Sequence, residues 1–128
     1  MRVLVVDDSP FMRKAVINSL AQTKYASYGI IEAGDGQEAL KVYKTGAVDW
    51  VMCDWNMPKM NGLEFLIEAR KTKTSKYIPI VMVTTEGTLG KMDEALTQGA
   101  DRYVVKPFKA ADLENAMDLI AQKLATKR

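Results

Sequence analysis

The feature that most constrains this chain is a repeated change of period. Short apolar runs rich in Val and Ile, at Val3–Val6, Tyr28–Ile31, Trp50–Cys53, Ile80–Val83 and Tyr103–Val105, alternate with longer stretches whose apolar residues recur every three or four positions. The runs scarcely alternate with polar residues. That is the pattern of strands buried on both faces, and such strands belong to parallel sheets covered by helices. The stretches between them read as amphipathic helices. Ser9-Pro10 is an N-cap followed by proline at the first helical position, with Met12, Ala15, Val16 and Leu20 on one face. Asp35 or Gly36 opens a second helix with Ala39, Leu40 and Tyr43 inward, and Asn61-Gly62 precedes a third with Leu63, Leu66 and Ile67. A fourth starts poorly, with Gly87 and Gly90, and turns Leu89, Met92 and Leu96 inward. A fifth, after Lys109, carries Leu113, Ala116, Met117, Ile120 and Leu124. Five strands alternating with five helices, with no linker between them, imply right-handed crossovers and a doubly wound α/β fold of three layers. One domain over residues 1–128 is expected, long enough to hold a core without disulfides or metal staples.

Composition narrows the chemistry. The chain has no histidine, which excludes a Ser-His-Asp triad, a Cys-His pair and any imidazole-bound zinc. Its single cysteine, Cys53, allows neither an intrachain disulfide nor a thiolate cluster, and mid-strand it reads as a buried structural thiol. Eighteen basic against sixteen acidic residues give a net charge of +2, no sign of a nucleic-acid partner. No apolar run approaches the ~20 residues of a membrane helix, and the apolar stretch at Val3–Val6 is too short for a signal-peptide core. A cytoplasmic protein without a membrane partner is expected. Chemistry near neutral pH would then rest on carboxylates, lysine, hydroxyls or a hard metal ion.

Those groups gather where the strands end. The first strand runs into Asp7-Asp8, the third into Asp54, the fourth into Thr84-Thr85 and the fifth into Lys106-Pro107. Parallel strands put all these polar groups on one edge of one sheet, the edge where open α/β sheets bind ligands. Two unit charges ~4 Å apart repel by about 4 kcal/mol at an effective dielectric near 20. Three carboxylates therefore need cations, and Lys106 supplies one. Oxygen-only ligands favour magnesium, manganese or calcium over zinc for the rest. A carboxylate in such a place can act as a nucleophile toward phosphorus, helped by a metal, a lysine and a hydroxyl on the phosphoryl oxygens.

The motifs Val6-Asp7-Asp8, Asp54-Trp55-Asn56-Met57-Pro58, Gly62, Val83-Thr84-Thr85-Glu86 and Tyr103-Val104-Val105-Lys106-Pro107-Phe108 resemble, in order and along essentially the whole chain, the receiver domain of two-component response regulators. Within that family they are most similar to its chemotaxis regulators. The resemblance implies the flavodoxin-like strand order 2-1-3-4-5. It implies that Asp54 accepts a phosphoryl group from a phosphohistidine on a histidine kinase. Asp8 and Asp54 would bind Mg2+ (Mn2+ being possible) with the backbone carbonyl of Asn56, and Asp7 would help through a water. Lys106 would pair with Asp54 and then with the phosphoryl oxygens. Thr84 would move to hydrogen-bond the phosphoryl group, and Tyr103 would turn from outward to inward as Thr84 moves. The Lys106-Pro107 peptide would be cis.

The protein so implied is a switch, not an enzyme acting on outside substrates. Phosphorylation shifts a population, and the face made by the fourth helix, fifth strand and fifth helix changes partner. That partner would be the flagellar switch if the chemotaxis likeness extends to output, although the fourth helix carries Asp93-Glu94 and little basic charge. Asn56 and Glu86, two residues beyond Asp54 and Thr84, match a pair that limits water access, implying phosphate loss in seconds to minutes. Thr85 stands where chemotaxis members have alanine and would narrow access or hinder Tyr103. Asn61 stands where many receivers have aspartate, with little expected consequence. No output domain is expected within these residues. The alternatives are a receiver cut from a larger regulator and a metal-dependent phosphotransferase using Asp54.

Trp50 is expected in the core, Trp55 partly exposed, and Met12, Met92 and Met117 at core positions. Lys123, Lys127 and Arg128 read as a solvated helix end that suits the macrodipole.

Overall fold

The computed structural model describes residues 1–126, so Lys127 and Arg128 of the basic helix end lie outside the described residues. Five strands and five helices alternate: β1 (Arg2–Val6), α1 (Pro10–Leu20), β2 (Gly29–Ala33), α2 (Gly36–Lys44), β3 (Trp50–Cys53), α3 (Gly62–Lys71), β4 (Ile80–Thr84), α4 (Leu89–Thr97), β5 (Arg102–Val105) and α5 (Ala110–Thr126). All strand pairs are parallel, in the order β2-β1-β3-β4-β5.

Alternate residues of each central strand face opposite layers. Leu4, Val6, Val51, Cys53, Ile80 and Met82 pack under α2, α3 and α4, chiefly against Tyr43, Phe65, Leu66 and Ala95. Val3, Val5, Met52, Val81 and Val83 pack under α1 and α5, against Val16, Leu20, Leu113, Met117 and Ile120. This double burial is why β1, β3 and β4 show no polar alternation, while the edge strands β2 and β5 are only partly covered. Phe65, which the sequence pattern did not single out, is fully buried edge-on against Tyr43, with ring centroids 5.9 Å apart, and joins α2 to α3.

Helix starts follow local chemistry. The Ser9 hydroxyl accepts from Met12 N at 3.2 Å ahead of Pro10. Asp35 accepts from Glu38 N at 2.8 Å. Asn61 and Glu64 form a reciprocal capping box, with bonds of 2.8 and 2.9 Å. β2 begins one residue later than its apolar run suggests, because Tyr28 N is taken by the Tyr25 carbonyl in a turn.

α4 departs from expectation. Leu89 and Leu96 face outward, 77% and 44% exposed, Met92 is only half-buried, and Ala95 alone among its residues is buried. At about 100° per residue, Met92, Leu96 and Leu89 lie roughly 60°, 100° and 120° round the helix from Ala95, so exposure grows with angle from the contact line. The helix meets the sheet through its smallest apolar side chain, which allows a close approach and turns the leucine stripe away. Trp50 and Met117 are buried as expected, and Met12 is half-buried. Trp55 is not partly exposed but 5% accessible, seated in the α2–α3–α4 layer. Among the described residues no helix is long and apolar enough to cross a membrane.

Candidate functional site

The strand register assembles the site. Val6 pairs with both Ala33 and Cys53, and Thr84 with Val105. The ladder continues one residue further, with Asp7 N on the Ala33 carbonyl, Asp54 N on the Val6 carbonyl and Lys106 N on the Thr84 carbonyl, at 3.1, 2.9 and 2.8 Å. The residues that follow the strands are thus tied by backbone bonds before any side chain meets another.

Asp7, Asp8 and Asp54 each offer a carboxylate oxygen within 4.8 Å of the others. Asp7 is buried. One of its oxygens accepts from Ser9 N at 3.0 Å and the other from Lys106 Nζ at 2.7 Å. Asp8 is exposed to solvent. Asp54 Oδ1 accepts from Trp55 N at 2.7 Å. The expected pairing of Lys106 with Asp54 is the longer of two contacts, since Nζ stands 3.7 Å from Asp54 Oδ2 and bonds Asp7. Both Lys106 and Asp7 are sealed from water, so their pair forms where Coulomb attraction is least screened, and Asp54 keeps an oxygen without a close cation. Burial holds the Asp54 carboxyl above the ordinary range; the nearby Thr84 hydroxyl and Lys106 oppose that, Asp7 adds to it, and the Trp55 N–H opposes it. The same burial, with Asp54 and Asp7 nearby, pushes the Cys53 thiol well up, so Cys53 stays a protonated, inert core residue whose S–H points to the Asp54 carbonyl.

Thr84 is fully buried, and its hydroxyl lies towards Asp54 and accepts from Glu86 N at 3.3 Å. Tyr103 is not outward: its ring packs on the α2–α3–α4 layer and its hydroxyl donates to the Glu86 carbonyl. Burial, and the charges of Glu86 and Asp54, push that phenol up to about 12, so it remains a donor at any physiological pH. Asn56 Nδ2 donates to Glu86 Oε2 at 3.2 Å, linking the loops after β3 and β4. The Lys106–Pro107 peptide is cis.

Arg13 and Lys59 escaped the sequence pattern, and Gly62, named there as a motif position, gains its physical reason here. Arg13 reaches back to donate to the Asp7 carbonyl at 2.6 Å while its Nε bonds Glu32 at 2.8 Å, bracing the β1 end against β2. Its place four residues after the N-cap Ser9, on the turn that faces back over the strand end, is the only local signal. Gly62 lies against the Asp54 backbone, where a Cβ would collide with the Asp54 carbonyl, and its N–H bonds the Trp55 carbonyl at 2.8 Å. Lys59 takes a left-handed conformation, φ 66°, in the same loop.

The donor set suits a hard divalent cation. Three carboxylates face one ammonium, every candidate ligand is oxygen, and one carboxylate is open to solvent.

Comparison with known proteins bears on the same residues. The family model for the response regulator receiver domain matches residues 3–118. The chain is 39% identical over 124 residues to the chemotaxis protein CheY-3 of Vibrio cholerae, covering 97% of this chain and 94% of that one. It is 39% identical over 121 residues to the chemotaxis protein CheY1 of Helicobacter pylori, covering 94% and 96%. Among solved structures, CheY4 of Vibrio cholerae aligns with a TM-score of 0.80 at 37% identity over 91% of this chain and 95% of that one. A CheY of Borrelia burgdorferi, solved as a CheX-CheY-BeF3-Mg2+ complex, aligns at 0.83 and 29% over 94% and 88%. A match to nearly the whole sheet, joined to an acidic edge built from residues far apart in sequence, leads to one conclusion: this chain belongs to the response regulator receiver domain family and is a two-component response regulator.

Proposed function

We propose that Asp54 is the phosphoacceptor of this switch. An Asp54 oxygen bonds to phosphorus as the P–N bond to a kinase histidine breaks, and the leaving imidazole takes a proton from solvent. The observation that carries this reading is the Asp54 carboxylate itself, oriented by Trp55 N and flanked by Lys106 and Thr84. Asp8, Asp54 and the Asn56 carbonyl would hold Mg2+, with Asp7 helping through a water, and the bound ion would offset charge on the phosphoryl oxygens. Lys106 is near enough to meet a phosphoryl oxygen while staying on Asp7. Thr84, turning from Asp54 to the phosphoryl group, reshapes the floor beneath Tyr103. The chain's catalysis is confined to its own phosphorylation and dephosphorylation, with Asn56 and Glu86 governing water access.

The likeness to chemotaxis proteins supports an output in motility control. The α4–β5–α5 face supports a partner there, since Leu89, Leu96 and Val105 stand exposed on it. Tyr103 lies inward against the Glu86 carbonyl, the arrangement that phosphorylation would favour.

The test is incubation with acetyl phosphate and Mg2+, read by intact mass. One phosphoryl group is expected on the parent and none on Asp54→Asn. Uptake that survives the substitution, or no uptake by the parent, overturns the assignment.

A further inference from the structure

Lys91 lies on the first turn of α4, where the exposed N–H groups repel a cation. Helix stability therefore does not account for a lysine there; what it touches does. Its Nζ sits 4.6 Å from the centroid of the Trp55 ring and 3.7 Å from Glu86 Oε1. The other Glu86 oxygen holds Asn56. Trp55, in turn, is the residue whose N–H orients the Asp54 carboxylate. One ammonium thus touches the neighbour of the acceptor and one end of the Asn56–Glu86 bridge, and it does so from α4.

We infer that Lys91 is a positioning residue for phosphate loss: it clamps Glu86 over Trp55 and so keeps the Asn56–Glu86 bridge closed across the approach to Asp54. The inference rests on Asp54 being the acceptor. With the clamp in place, Glu86 has both oxygens engaged and its carboxylate cannot swing aside to admit an in-line water. Without it, Glu86 is tied by a single contact to an exposed asparagine. Because Lys91 belongs to α4, anything that shifts α4 on the sheet also moves the clamp, which would couple partner binding on that helix to the lifetime of the signal.

The experiment measures the first-order decay of the phosphorylated parent, Lys91→Met and Lys91→Arg, with circular dichroism to confirm that each is folded. Met keeps the apolar cover on Trp55 and removes the charge; Arg keeps both the ion pair and the stacking. The decay should speed up about three- to ten-fold in Lys91→Met, as expected for one exposed cation–π contact plus one surface ion pair. Lys91→Arg should stay within about two-fold of the parent. In a Glu86→Gln background the effect of Lys91→Met should shrink to less than about two-fold, since the charge it clamps is gone. Equal decay of parent and Lys91→Met overturns the clamp while leaving the acceptor assignment standing. So does failure of Arg to rescue. A parent that takes up no phosphate overturns both.

Discussion

The two edges of the sheet solve the same problem in opposite ways. Each carries aspartates beside the strand ends. At the amino edge, Asp101 is fully answered: one oxygen accepts from Ile80 N and Arg70, the other from the Tyr77 hydroxyl. Arg70 spends the rest of its guanidinium on the carbonyls of Gly99 and Ile78 and lies over the Tyr77 ring. Asp49, nearby, takes Arg2 N and Lys76. At the carboxyl edge, three carboxylates share one lysine. An edge whose charges cancel within hydrogen-bond networks holds the fold together. An edge that leaves negative charge over is stable only when something positive or electrophilic arrives. The contrast separates architecture from function inside a single sheet.

The difference can be broken from either side. The largest effect is expected at the carboxyl edge: Asp54→Asn should abolish phosphate uptake outright yet raise the urea midpoint in metal-free buffer, because burial and Asp7 already make that charge unfavourable. A lower midpoint would show that the edge is not strained. At the amino edge Arg70→Ala should do the reverse, costing about 2–3 kcal/mol in urea titration by leaving two carbonyls without that donor and Asp101 without its paired cation, while phosphate uptake continues. Gly62→Ala joins the two behaviours, since its Cβ would push on the Asp54 backbone. A loss of about 1–3 kcal/mol together with slower uptake is expected. Saturating Mg2+ should raise the melting temperature of the parent and much less that of Asp54→Asn, and it should not rescue Arg70→Ala to parent stability.

The smallest effect compares two tyrosines. Tyr77 at the amino edge and Tyr103 at the carboxyl edge are both pushed up to about 12 from 10.0, first by burial. A folded value above the unfolded one means their contribution is complete below pH 10 and drains away as pH rises through about 12. Asp101→Asn should lower the alkaline titration of Tyr77, and to a lesser degree that of Tyr43, while leaving Tyr103 unmoved, read by phenolate absorbance, because its carboxylate raises the first two phenols and not the third. A shift at Tyr103 would show that the edges communicate.

How far the residues could be read in advance follows from the range over which each feature is encoded. The cap at Ser9 was legible because it involves neighbours three residues apart. The strands were legible because double burial leaves unbroken apolar runs. The site residues were legible as types, each ending a strand. Phe65 escaped because it lies about 100° round the helix from Leu66, outside the stripe of Leu63, Leu66 and Ile67, and Arg13 because its target is a backbone carbonyl, which no residue type announces. The burial of Trp55 was not legible because what covers it, the α2–α3–α4 layer with Lys91, comes from segments far along the chain.

The order of residue types along this chain was enough to determine a parallel sheet with helices on both faces and an acidic edge beside a lysine, since periodicity and strand ends are local properties. Only the tertiary structure decided that Lys106 bonds Asp7 before Asp54, that α4 rests on Ala95 with its leucines outward, and that Tyr103 lies inward. Those outcomes depend on how helices rotate over the sheet and on distances of a few ångströms between residues remote in sequence, where burial sets which of two carboxylates a single cation prefers.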